Sequence, residues 1–456
     1  MSRLHEGIQR VISLIWGIPL GARLIRFIQA NPLYKGVLIL GSGTAVAQMI
    51  GILSMPIITR LYTPSDLGVL AVYAALLAIV GIGATLRYEF AYALPEEDRD
   101  AANLFGLCLI LLLITTTLFA TALFFGSELL ASYYDGFDVV EPYLWFLLVG
   151  FIGMGLYTIL NYWAIRQRDY KRITYTKINQ GLGGSITKIL LGLLAFGPVG
   201  LIIGHIISQI AGIGTLGRVM WRKERENLKM ISLGGMKQVA ETYRSFPTFN
   251  FPASIINTMA LQLPPLMLLA IYDARVAGLY ALAYTVVVLP GSVISGSMGQ
   301  AYLGEASKMV REKSRELRSL YVRTLKHLTA IAIPLIGIPA LCAPFVFGFI
   351  FGEAWVEAGW YCWPLGLMVI ASFVVSPTSM LHLYGYNHWN LIFDVTRTII
   401  IFIGFFISQL LALSSLIAIY IYSLNLILMH MFAILLNLKA ISNVTRLFNS
   451  ISERDP

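Results

Sequence analysis

Lys177 and Lys188 stand eleven residues apart in the run ITYTKINQGLGGSITKILLGLLA, which is long enough to cross a bilayer and holds no acidic residue to neutralise them. At about 100° per residue, the second ammonium returns to within roughly 20° of the first, three turns along one helix face. Gly181, Gly184 and Ser185 lie between them, which predicts a charged face with small neighbours and room for a bulky group. A charged side chain deep in a membrane is costly and as a rule faces a cavity filled by water or substrate. The ligand that such a face selects is an anion. Lys177 lies a turn or so into its run, so snorkelling to the near interface is the competing reading. Lys188 is deeper, roughly 22 Å in at 1.5 Å per residue, which leaves a cavity or the far interface.

Three further groups carry chemistry. Arg87 and Glu89 share the segment LRYEF at the end of an apolar run, as interfacial anchors or as a functional pair. Asp394 and Arg397 are three apart and so lie on adjacent turns of one helix, where they neutralise each other or part to let Asp394 take up a proton. His205 is a lone histidine, which in a helix bundle reads first as a satisfied hydrogen-bonding residue. Gln48, Asn161, Asn179, Asn257, Gln262 and Gln300 sit at span depth, suited either to sugar hydroxyls or to helix-helix contacts.

The elements that hold these groups follow from composition. Of 456 residues, 57% are hydrophobic and 12% charged, about half the charged fraction of a soluble domain. Twelve apolar runs between residues 37 and 437 are each long enough to span a ~30 Å hydrocarbon core. They are continuously apolar, without the alternation of barrel strands, so the expected class is an all-α polytopic membrane protein. The net charge of +9 is topological rather than a nucleic-acid footprint, because 28 of the 33 Lys and Arg residues fall in the two terminal segments and in alternate loops. By the positive-inside rule both termini are cytoplasmic, with anionic inner-leaflet lipids as neighbours. The three cysteines, Cys108, Cys342 and Cys362, fall within or beside spans and indicate no disulfide framework. The longest outer loop, GSELLASYYDGFDVVEP, is too small to house an enzyme that acts on the outer face.

The polar stretch RVMWRKERENLKMISLGGMKQVAETYR splits the spans into six and six. The expected division is an amphipathic N-terminal surface segment over 1–34, a first bundle over 35–217, a cytoplasmic linker over 218–245, a second bundle over 246–437 and a tail over 438–456. Tyr62, Gly68 and Ala71 recur as Tyr272, Gly278 and Ala281, each shifted by 210 at the same joint of each half, which points to an internal duplication. With six spans per copy, the halves enter the membrane in the same sense and should be related by a pseudo-twofold axis along its normal, around a central cationic cavity. Prolines at Pro56, Pro264, Pro265 and Pro290 supply kinks that a rocking transporter would use.

Several segments together resemble the bacterial polysaccharide-biosynthesis flippases of the Wzx type, in the multidrug/oligosaccharidyl-lipid/polysaccharide transporter superfamily. They are PIITRLYTPSDLGVLAVY with LRYEFAYALPEEDRDAANL, NYWAIRQRDYKRITYTKI, FPASIINTMALQLPPLMLLAIYDARVAGLYALAY and FGEAWVEAGWYCWPLGLMVIASFVVSPTS. The likeness implies a carrier, not an enzyme, that moves a polyprenyl-diphosphate-linked oligosaccharide from the inner to the outer leaflet of the bacterial inner membrane by alternating access. Lys177, Lys188, Arg60, Arg87 and Arg397 would hold the cargo's anionic part, and Arg60, Arg87 and Glu89 match recurring family segments. Thr285 stands where relatives often have arginine. No cofactor is implied, and no phosphate-cradling GxxxxGK[ST] supports direct ATP drive. A proton or sodium gradient, acting at Asp394 or Glu89, is the expected coupling, and other polysaccharide-assembly membrane proteins are possible partners. The alternatives are a multidrug or cation antiporter of the same superfamily, which would favour unpaired acids in the spans, and a membrane glycosyltransferase or polymerase.

Overall fold

Backbone groups inside a bilayer have no water to bond with, so long apolar runs satisfy them internally as helices. The computed structural model describes residues 32–452 apart from 134–136, 224 and 315, and among these it contains helices and turns but no strand. The surface helix expected near the N-terminus falls on residues 1–31, outside the described residues. Six long helices form the first half: α1 (Pro32–Leu61), α2 (Pro64–Gly81), α3 (Asp98–Tyr133), α4 (Leu144–Arg166), α5 (Tyr170–Leu193) and α6 (Pro198–Ile210). The second half contains α7 (Phe251–Ile271), α8 (Ala274–Arg311), α9 (Leu317–Phe351, with a π-turn over Ile333–Gly337), α10 (Val356–Val375), α11 (Asn387–Leu410) and α12 (Ser415–Ser452). Between the halves run Ile213–Lys223, a short turn of helix, and Leu233–Thr242.

The twelve helices correspond to the twelve apolar runs, with one qualification on hydropathy and one correction to a loop. Among the described residues eleven helical stretches, not twelve, are long and apolar enough to cross a membrane, and the one that falls short is α5. Lys177, Asn179, Gln180 and Lys188 lower its hydropathy, yet it is 24 residues long and sits against α1, α4 and α6. Neighbouring helices therefore shield its polar groups. The stretch read as the longest outer loop is also partly helix, because α3 continues to Tyr133.

The halves repeat one packing plan. In the first, α1 packs on α5, α5 on α6, α4 on α6, α3 on α4, and α2 on α4; in the second, α7 packs on α11, α11 on α12, α10 on α12, α9 on α10, and α8 on α10. Local details repeat with the 210-residue shift. Thr63 caps α2 by accepting from the Asp66 amide, and Asp273 caps α8 by accepting from the Val276 amide. Tyr62 donates to the Lys188 carbonyl at 2.7 Å, and Tyr272 donates to the Leu413 carbonyl at 2.8 Å. Each tyrosine thus ties the first joint of its half to the fifth helix or to the turn that follows it.

The halves meet where α2 crosses α8. A Cβ on Gly68 would lie 1.7 Å from the Ala274 carbonyl oxygen, and one on Gly278 would lie 1.8 Å from the Pro64 carbonyl oxygen. The two clashes exchange under the 210-residue shift, so the pseudo-twofold axis passes between these glycines. Only glycine allows so close an approach of two backbones. The same end holds Trp355 Nε1 donating to the Thr59 carbonyl at 2.8 Å and Arg60 donating to the Phe349 carbonyl at 3.2 Å. These contacts join the halves at the end opposite the basic loops, and others join them at the basic end, where Tyr88–Ala93 lies against Phe246–Asn250.

Candidate functional site

Helix α5 is clasped on both sides by small-residue contacts. A Cβ on Gly181 already falls 3.0 Å from Ala47 of α1, one on Gly184 falls 2.6 Å from the Ser208 side chain, and Ser54 donates to Ser185 at 3.1 Å. The room expected beside Gly181, Gly184 and Ser185 is therefore filled by α1 and α6. Small residues serve here to bring helices together, not to leave a vacancy.

The lysines nevertheless point into the first half. Lys177 is half-buried, with Nζ 5.0 Å from the centre of the Tyr157 ring on α4, a cation–π contact. Lys188 is half-buried too, and its stem lies on Gly204 of α6, where a Cβ would meet its Cγ at 2.4 Å. Neither ammonium lies in an ion pair among the described residues, so both positive charges stand without a counter-charge. Around them runs a polar thread. Tyr157 and Thr176 share a 3.0 Å hydrogen bond, Gln180 donates to the Gln209 carbonyl at 3.0 Å, and the His205 ring meets Tyr73 of α2 edge-on at 6.0 Å. Tyr73 and Gln209 escaped the sequence reading, because a single tyrosine or glutamine in an apolar run carries no spacing signal.

Arg397 is placed elsewhere, in the second half. Its guanidinium lies 3.1 Å from Asp394 and donates to Asn257 of α7 at 2.9 Å, while its Nε is buried without a partner. It borders a cavity of about 200 Å³ that also exposes Tyr284, Ser292, Ser295, Ser372 and His430. Ser292 in turn donates to Gln48 of α1 at 3.1 Å, so this cavity reaches the seam between halves. Ser292 and Ser295 on α8 are one helical turn apart, as are Ser372 on α10 and Ser376 just after it, which also lines the cavity, a pattern legible in sequence once the cavity is known.

The remaining site expectations separate from these. Leu86 and Arg87 adopt φ of 50° and 68°, a left-handed turn that costs a non-glycine residue on the order of 1 kcal/mol. The turn folds Glu89 inward until it is 2% exposed, where Thr85 donates to it and Arg87 lies 3.4 Å away. Arg87 is thereby committed to Glu89 and to the Phe90 ring, 4.9 Å from its Cζ. Arg60 is exposed and bonds the Phe349 carbonyl. The five cations expected around one lumen are thus distributed over four places. The two lysines share helix α5, Lys177 against Tyr157 and Lys188 against Gly204, because helix packing fixes where each side chain can reach.

The family described as "Polysaccharide biosynthesis protein" matches residues 57–359. The teichuronic acid biosynthesis protein TuaB of Bacillus subtilis (strain 168) is 23% identical over 301 residues, 63% of this chain and 56% of that protein. The chain thus spans little more than half the length of that relative. Among solved structures, an inward-facing multidrug resistance MATE family transporter of the MOP superfamily superimposes with a TM-score of 0.65 at 14% identity, over 89% of this chain and 95% of that one. A MOP superfamily transporter from Pyrococcus furiosus, described as having a binding pocket of reverse polarity, gives 0.61 at 16% identity, over 90% and 96%. The fold is therefore the one that these solved structures share, and the chain belongs to the polysaccharide biosynthesis protein family.

Proposed function

We propose that this protein is a flippase that carries a polyprenyl-diphosphate-linked oligosaccharide from the inner to the outer leaflet of the bacterial inner membrane. The observation that carries the reading is the pair of ammonium groups on α5 with no acid beside them, in a chain whose family builds polysaccharide. An uncompensated charge at this depth is expensive unless a counter-ion arrives with the cargo, and a diphosphate supplies one. The serine-lined cavity beside Arg397 suits hydroxyl-rich sugar, and the polyprenyl tail remains in lipid throughout. Alternating access then separates the halves at the α2–α8 crossing while the basic end closes. Asp394 and Glu89 remain the candidates for coupling to a proton or sodium gradient. A cation antiporter is the weaker reading, since Asp394 and Glu89, the acids proposed for coupling, each face an arginine.

The test replaces Lys188 by Ala in a strain that depends on this protein and measures surface glycan at matched protein level. The proposal expects export to fall about tenfold or more, the scale of one lost charge-assisted hydrogen bond of ~1.5–3 kcal/mol. Full export would remove Lys188 from the site, and a changed glycan length or linkage would favour an enzyme.

A further inference from the structure

We infer that the cavity between the α4–α5 turn and the helix Ile213–Lys223 is a binding site for an anionic phospholipid of the leaflet at the basic end. At about 380 Å³ it is larger than the cavity at Arg397, and neither Lys177 nor Lys188 borders it. One wall is apolar: Leu160, Trp163, Ala164, Leu216, Val219 and Met220. The opposite rim is Gln167, Arg168, Asp169 and Arg172. Arg168 is exposed and held at a φ of 54°, which turns the chain sharply and keeps its guanidinium at the rim. Arg172 pairs with Asp169 through Nε at 3.1 Å, while its Nη1 is buried without any hydrogen-bond partner. Two guanidiniums against one carboxylate leave a net positive rim with an unmet donor, the complement of a phosphodiester.

The wall decides which phosphate. A free phosphate or nucleotide gains nothing from the apolar side, where Leu160, Leu216 and Met220 are nearly covered and Val219 is half-buried, whereas the start of a phospholipid acyl chain covers the part left open. The helix Ile213–Lys223, at the basic end of the spanning stretch Pro198–Arg222, is amphipathic, with Leu216 and Met220 buried and Arg218, Trp221 and Arg222 exposed. It begins just after Gly212, whose φ of 143° interrupts the helix between α6 and Ile213–Lys223 within the spanning stretch Pro198–Arg222. The headgroup level, where basic and tryptophan side chains gather, is where this cavity opens.

The experiment uses the full-length protein in detergent, with phosphatidylglycerol or phosphatidylcholine added, and reads retained lipid by native mass spectrometry and the unfolding temperature. The wild type should prefer phosphatidylglycerol by about tenfold or more. R168Q should weaken that preference several-fold and R168Q/R172Q should abolish it, with folding checked in phosphatidylcholine. V219W, which fills the cavity and keeps both arginines, should abolish it as well, and K188A should leave it intact. An unchanged preference in both R168Q/R172Q and V219W would overturn the proposal. So would displacement of phosphatidylglycerol by inorganic pyrophosphate alone, which marks a bare anion site. Displacement by a polyprenyl diphosphate at equal concentration would assign the cavity to the cargo and overturn it too.

Discussion

At the level of single residues, the positive charges divide into those with work already assigned by neighbours and those without. Arg87, Arg397 and Arg60 are held by Glu89, by Asp394 with Asn257, and by the Phe349 carbonyl. Lys177 and Lys188 have an aromatic ring and a glycine surface instead. This division yields a prediction for Arg397. If its pair with Asp394 is structural, R397Q strands a partly buried carboxylate, and D394N/R397Q recovers most of the lost thermal stability in a double-mutant cycle. If D394N alone abolishes gradient-driven transport while stability holds, Asp394 carries the coupling ion. The lysines were legible in the sequence because a charge inside an apolar run violates the local rule. Their surroundings were not, since whether a glycine opens space or closes on a neighbour depends on helices over a hundred residues away, as Gly181 against Ala47 illustrates.

Among the elements, the α2–α8 crossing fixes the relation of the two halves. Pro64 and Gly68 of one helix face Ala274 and Gly278 of the other so closely that an added methyl group has no place. G68A or G278A should destabilise the protein by about 1–3 kcal/mol, the usual cost of overpacking, read as a lower unfolding temperature and lower yield. G51A, on α1 with nothing within 4 Å of the added carbon, should not destabilise the protein, because alanine is the better helix former. Equal losses at all three positions would show that the close contact does not govern these sites. The duplication behind this crossing was visible as Tyr62, Gly68 and Ala71 repeating at Tyr272, Gly278 and Ala281. That three other helices cover the polar groups of α5 could not be read from its own residues, because those helices lie elsewhere in the sequence.

Across the whole molecule, the halves are joined at the end away from the basic loops through Thr59–Trp355, Arg60–Phe349 and the paired glycines. The proposed alternating access would part these contacts. Spin labels at the exposed Ser65 and Ala354, one in each half at that end, should give a single short distance in the resting protein. Under turnover with lipid-linked oligosaccharide, a second and longer distance should appear. An unchanged distribution during active transport would place the moving parts elsewhere. The central claim is that the α5 lysines carry an anionic cargo across the bilayer. Its most direct test is reconstitution in liposomes with fluorescent polyprenyl-diphosphate-linked sugar, following protection of the label from an external quencher. The wild type should redistribute the diphosphate-linked sugar between leaflets, K177A/K188A should not, and a polyprenyl-linked sugar lacking the diphosphate should stay in place. Equal movement of the uncharged analogue, or full activity of K177A/K188A, would contradict it.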